Sequence, residues 1–197
     1  MSIKIEVYSD YVCPFCFFAK KTLDEIAQQE DIEIEWMPFE LRPYPTPTLR
    51  PEDNYLPKVW KQSVYPMAEA MGVPIRLPRI SPQPYTHLAF EGYQFAKIYS
   101  LGQRYNERMF KAFFQENRDI GNIEVLVELA EEIGLTASEF KQALIERQYQ
   151  GIHQKALKKA YEELGITVVP SLVINGQVFS GMPRKDEILK AIDSLNK

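Results

Sequence analysis

Two short runs of alternating apolar and charged residues, IKIEV at 3–7 and IEIEWM at 32–37, flank a single stretch of helical periodicity. Between them Phe15, Phe18, Thr22, Leu23 and Ile26 recur at the spacing that lines one face of a helix, which predicts a helix over 14–29. Pro14 suits its first turn, where the missing N–H would have no partner anyway. A strand, a helix and a strand this close together form a right-handed crossover that leaves the two strands parallel. The start of the chain is thereby committed to a sheet covered by a helix.

The sheet pattern then stops. Pro38, Pro43, Pro45, Pro47 and Pro51 crowd one stretch that reads as an exit linker. The pattern beyond is helical: a helix over 58–71 disturbed near Pro66, then, past a second proline cluster at 74–84, helices near 85–101, 104–117, 122–134 and 138–148. Gly102, Gly121 and Gly134 fall where helix C-termini are expected. A further helix over 150–164 leads to VVPSLVI at 168–174, read as a strand with an internal proline. Asn175-Gly176 signals a two-residue hairpin turn into QVFSG at 177–181, and an amphipathic helix over 184–195 closes the chain. The two ends thus read as halves of one sheet, residues 1–45 and 149–197, around an all-helical insertion at 46–148. The fold class is α/β, βαβ…ββα, interrupted by that insertion.

Composition removes several function classes. A formal net charge of −4 with no basic stripe argues against a nucleic-acid partner. No segment approaches the roughly 20 apolar residues of a membrane span, and MSIKIEVYSD lacks the basic and apolar regions of a secretory signal. The chain reads as cytoplasmic, with no membrane partner. In that compartment a purely structural disulfide is out of place, and a close cysteine pair is catalytic or metal-binding.

The chain holds one such pair and no other cysteine, Cys13 and Cys16 in CPFC. Cys13 falls where a strand ends and a helix begins. The unpaired N–H groups of a first helical turn favour a thiolate over a thiol. Cysteines so placed have pKa values of roughly 3.5–7.5. Cys13 is therefore the expected nucleophile. Cys16, one turn on and less exposed, is placed to attack a mixed disulfide, so the pair can cycle between dithiol and disulfide. Two plainer readings stand beside this one. Cys13 and Cys16 with His87 and His153 would make a zinc-binding set, although the histidines lack the close spacing of zinc motifs. The cysteines could also be inert core thiols. An iron–sulfur cluster needs more cysteines than the chain has. No cofactor and no metal are called for.

Pro170 is the second signal. A proline in a strand belongs at an edge or in a cis turn. At an edge it would be only structural. Beside the first strand, a cis bond would aim the Val169 backbone at the sulfurs, where an extended substrate could pair with it. Phe15, between the cysteines, is the aromatic residue best placed to touch an apolar substrate. His87, at the start of a helix, is either a surface histidine or a polar lining of the cap.

Taken together, Asp10-x-x-Cys13-Pro14-Phe15-Cys16, His87-Leu88, Gly165-Ile166 ahead of Val169-Pro170-Ser171, and Ser180-Gly181 resemble the DsbA family of thiol–disulfide oxidoreductases, in its FrnE-like branch. The resemblance spans nearly the whole chain. It implies a thioredoxin-like fold with a helical insertion. It also implies roles: Cys13 attacking, Cys16 resolving, Pro170 as the cis-proline and Val169 touching substrate backbone; Pro14, Phe15 and His87 are the further candidate substrate contacts. The partner it implies is a thiol or disulfide, on a protein or on a small thiol such as glutathione. Two features depart from the pattern. Pro14-Phe15 stands where strongly oxidising relatives carry Pro-His. The inward positions Ile3, Ile5 and Val7 of the first strand supply no buried acid, unless Glu6 faces inward, which leaves proton handling at Cys16 unassigned. Kappa-class glutathione transferases and 2-hydroxychromene-2-carboxylate isomerases share this architecture but carry serine at the first cysteine's place. An oxidant-sensing protein without turnover is the non-enzymatic alternative.

Overall fold

A computed structural model describes residues 2–182 and 184–195. The chain divides into two compact units. One combines the residues up to Leu41 with those from Ala156 onward, and the other runs from Arg42 to Lys155. The expected boundaries lay at 45/46 and 148/149.

The first, the αβ unit, holds β1 (Ile3–Ser9), α1 (Pro14–Ala27) and β2 (Ile32–Pro38), and later β3 (Ser171–Ile174), β4 (Gln177–Ser180) and α9 (Lys185–Leu195). The sheet order is β2-β1-β3-β4. β1 and β2 run parallel, with Ile3 opposite Ile32 and Val7 opposite Trp36. β3 lies antiparallel to β1, with Tyr8 opposite Ser171 and Val7 opposite Leu172. Asn175 and Gly176 both take positive φ, 48° and 78°, which closes the β3–β4 hairpin at Asn-Gly.

Both faces of β1 are covered. Tyr8 and Val173 pack with Phe39, Ala160 and Ile166 on one face. Ile5 and Val7 point the other way and are equally buried. Burying several side chains of this size on each face, at about 25 cal/mol per Å² of apolar surface, holds the unit together. Glu6 lies on the Tyr8 side and is not a buried acid. Its carboxylate accepts from Lys159 Nζ at 2.7 and 2.8 Å and from the Tyr8 hydroxyl at 3.1 Å.

β3 begins at Ser171, so Pro170 stands just ahead of the strand and not inside it. The reason is twofold. Proline has no N–H to give the ladder, and β3 sits between β1 and β4, where both sides are paired. The reading of Pro170 as an edge-strand proline is therefore corrected.

The helical unit carries α2 (Tyr55–Val59) and α3 (Tyr65–Met71), joined by a π-helical segment over Trp60–Val64. There the Tyr65 N–H reaches back five residues to the Trp60 carbonyl. The wider turn accommodates Pro66, which has no N–H to donate and whose ring would press on the preceding turn. α4 (His87–Ile98), α5 (Gly102–Phe114), α6 (Ile123–Glu132) and α7 (Ala137–Ile145) follow. Gly102 opens α5 and does not close α4, and the left-handed residue after α4 is Ser100, at φ 60°. Gly134 does follow α6, at φ 96°. α8 (Gln150–Lys158) runs on into a second π-helical segment, Lys159–Glu163, and the unit boundary falls within it.

Candidate active site

β1 ends at Ser9, and its chain turns directly into α1. Cys13 is the N-cap, in extended conformation, with Pro14 as the first helical residue. The Cys13 N–H donates to the Asp10 carbonyl at 3.0 Å. The Cys13 carbonyl in turn accepts from Cys16 N at 3.1 Å and from Phe17 N at 3.4 Å. The turn that carries both cysteines is thus fixed by its own backbone.

The antiparallel pairing of β3 with β1 brings the second part of the site. Because Ser171 stands opposite Tyr8, the residues before it lie beyond the end of β1, beside the start of α1. The Val169–Pro170 bond is cis. The Cys13 thiol donates to the Val169 carbonyl at an Sγ···O separation of 3.7 Å. Pro170 is buried, while Val169, Pro14 and Phe15 are half-buried. Phe15 packs edge-on against Phe18, with ring centres 6.2 Å apart. His87 belongs to the helical unit, as the first residue of α4, with its ring 6.4 Å from that of Tyr85.

The two sulfurs differ in environment. Cys13 retains 4% of its surface and Cys16 none. Burial above all, then the hydrogen bond with Cys13, pushes the Cys16 thiol well above its ordinary value. The negative charge of Asp10 adds to this, while hydrogen bonding from the Asp10 main chain opposes it. Both cysteines are free here, with no disulfide between them.

Around them lies a polar group of residues, most of which the sequence did not single out. Asp10 keeps 1% of its surface and Glu40 6%. The Asp10 Oδ2 accepts from the Leu41 N–H at 2.8 Å. The Tyr161 hydroxyl donates to the Glu40 carbonyl at 2.8 Å and accepts from the Glu40 N–H at 3.1 Å. Burial, with smaller contributions from the Glu40 and Asp10 charges, pushes the Tyr161 hydroxyl up to about 12. Residues 40–41, just past β2, are thereby fastened from two sides. Asp10 had a signal in the sequence, three residues ahead of Cys13. Tyr161 had none, since it reaches Glu40 across 121 positions. Among the described residues, no group of three or more His, Cys, Asp or Glu side chains is gathered as a metal site would require.

The model of the DSBA-like thioredoxin domain matches residues 4–193. The chain belongs to this family. The DSBA-like relatives and neighbours vary in what they are called. YwbO of Bacillus subtilis, an uncharacterised protein, is 52% identical over 198 residues, covering 100% of this chain and 99% of its own. The 2-hydroxychromene-2-carboxylate isomerase of Sphingobium xenophagum is 25% identical, over 94% of this chain and 96% of the isomerase. The cytosolic disulfide reductase DsbM of Pseudomonas aeruginosa shares the fold at a TM-score of 0.75 and 17% identity, with 98% of each chain covered. This DSBA-like chain therefore stands among oxidoreductases and an isomerase built on one scaffold. Among its described residues no helix is long and apolar enough to cross a membrane.

Proposed function

We propose that this chain is a thiol–disulfide oxidoreductase that works through the Cys13-Pro14-Phe15-Cys16 pair. The observation that carries the reading is the placement of Cys13 at the N-terminus of α1, with its Sγ 3.7 Å from the carbonyl that precedes a cis-proline. The Cys13 thiolate attacks one sulfur of a substrate disulfide. A Cys13–substrate bond forms and the other substrate sulfur leaves as a thiolate. Cys16 then attacks the Cys13 Sγ, releases the second substrate thiol and closes the Cys13–Cys16 disulfide. An external thiol restores the pair. Pro170 keeps the Val169 backbone beside the sulfurs, and Val169, Pro14 and Phe15 offer the half-buried surface that a substrate would cover. His87 remains a candidate substrate contact. The FrnE-like branch and a cytoplasmic setting agree with the motif and with the reductase neighbour.

The test is direct. C13S abolishes reduction of a protein disulfide such as that of insulin, by a factor of about 10³ or more. C16S accumulates a mixed disulfide on Cys13 that mass spectrometry detects. Full activity in C13S would refute the assignment.

The likeness to an isomerase supports a second reading, in which a small thiol such as glutathione is a co-substrate and the reaction is isomerisation or transfer. Turnover of a small electrophile with glutathione that survives C16S would favour it over the first.

A further inference from the structure

We propose that Ser171 is a positioning residue of the cysteine site, its hydroxyl holding the Val168–Val169 main chain where a peptide substrate pairs with it. The inference rests on the thiol–disulfide reading and names what fixes the surface that this reading gives to the substrate.

Residues 167–170 belong to no strand or helix. They run from Ile166, whose N–H donates to the Ala160 carbonyl at 2.9 Å, to Ser171, the first residue of β3. Thr167 and Val168 are exposed, so packing does not hold them. Among the described residues, the main chain of Val168 and Val169 makes two hydrogen bonds. The Ser171 hydroxyl donates to the Val168 carbonyl at 2.8 Å, and the Cys13 thiol donates to the Val169 carbonyl at 3.7 Å. The second is a long bond from a weak donor. It ends when the Cys13 sulfur is bonded to a substrate, because the S–H is then gone. From that moment the Ser171 hydroxyl alone holds the segment.

Ser171 is well placed to do so. It is fully buried in a central strand, opposite Tyr8 of β1 and Ser180 of β4. A hydroxyl sealed there needs a hydrogen-bond partner. It takes the carbonyl three residues back, a local bond of the kind serine forms readily. Pro170, which lies between, has no N–H to give that carbonyl.

The Val169 N–H, by contrast, has no partner among the described residues. An extended peptide that adds to a strand uses such exposed main-chain groups. A disulfide without a peptide main chain makes no use of them. Ser171 therefore acts on the capture of peptide substrates and not on the sulfur chemistry itself.

The experiment follows the reduction of two disulfides by the full chain. One is a short disulfide-bonded peptide. The other is 5,5′-dithiobis(2-nitrobenzoate), which has no peptide main chain. S171A is expected to raise the half-saturating concentration of the peptide about three- to tenfold, the effect of one lost hydrogen bond, with its limiting rate and the aromatic reaction within about twofold of the unaltered chain. An unchanged half-saturating concentration overturns the proposal. So does an equal loss on both disulfides, which is what general damage to the fold gives. S171T and S171V are nearly alike in shape and differ in the hydroxyl. S171T is expected to saturate at an about three- to tenfold lower peptide concentration than S171V. Equal values overturn the proposal even if S171A does not fold. If the unaltered chain reduces neither disulfide, the oxidoreductase reading fails and the proposal falls with it. If the unaltered chain reduces both and S171A matches it, that reading stands and the Ser171 assignment alone fails.

Discussion

Two buried carboxylates show how differently the two units use the same group. Glu91 of the helical unit has no exposed surface, and Arg147 binds it with Nε at 2.9 and 3.1 Å and Nη2 at 2.6 Å. Arg147 stands just beyond α7 at φ 53°, so the pair fixes the end of α7 to α4. Asp10 of the αβ unit is oriented by a main-chain N–H and acts electrostatically on a thiol. A carboxylate clasped by a guanidinium is spent on holding helices together. One set by a backbone amide near a buried sulfhydryl holds the turn beside that thiol and adds its charge to what the thiol feels. A buried acid therefore indicates chemistry or architecture according to what faces it, not by being buried.

The contrast can be broken most forcefully at Arg147. R147A leaves Glu91 buried and uncompensated, and is expected to cost about 3 kcal/mol of unfolding free energy in a urea titration, while the folded protein keeps its cysteine chemistry. A loss of thiol exchange without a loss of stability would erase the distinction.

A smaller effect is expected in the same core. A methyl group at Gly92 would press on the Tyr105 hydroxyl and meet the Phe140 ring at 2.7 Å, so G92A is expected to destabilise by about 2 kcal/mol. The Tyr105 hydroxyl is buried without a hydrogen-bond partner. Y105F should therefore be neutral or mildly stabilising and should recover part of the G92A deficit. A strongly destabilising Y105F would show that this hydroxyl has a role in the fold.

The mildest test is alkaline. Tyr161 and Cys16 both titrate above their ordinary values in the folded chain, so folding favours their protonated forms. The stability this gives is complete below the unfolded values, 9.0 for the thiol and 10.0 for the phenol, and is lost as pH rises through the folded ones. The Tyr161 part fades between 10.0 and about 12. Denaturant midpoints should fall over that range, and less steeply in Y161F. An identical slope in Y161F would remove Tyr161 from the account.

Much of this was open to inspection in the residue order. Local period marked β1, α1 and β2, because an alternating run and a helical stripe are properties of neighbours in sequence. Asn175-Gly176 announced its hairpin for the same reason. The cysteine pair and Val169-Pro170 were visible as two unusual pieces of chemistry. What escaped depends on distant pairing. β3 starts three residues later than its apolar run because a central strand cannot accept Pro170, and centrality is a fact about β4 and β1. Glu6 looked like a candidate internal acid, but Lys159, 153 positions away, takes it. Tyr161 and Glu40 meet only in the folded chain. Gly102 was misplaced because Ser100 adopts the left-handed turn that a glycine usually takes.

β1 and β3, which together bring Cys13 to the Val169 carbonyl, lie on opposite sides of more than a hundred intervening residues. During synthesis from the N-terminus, CPFC emerges from the ribosome long before the segment that will sit beside it has been translated. Until then the first strand has only β2 as a neighbour, and no carbonyl faces the sulfur. The contact between Cys13 and the Val169 carbonyl is therefore completed only after the segment around Pro170 has been made.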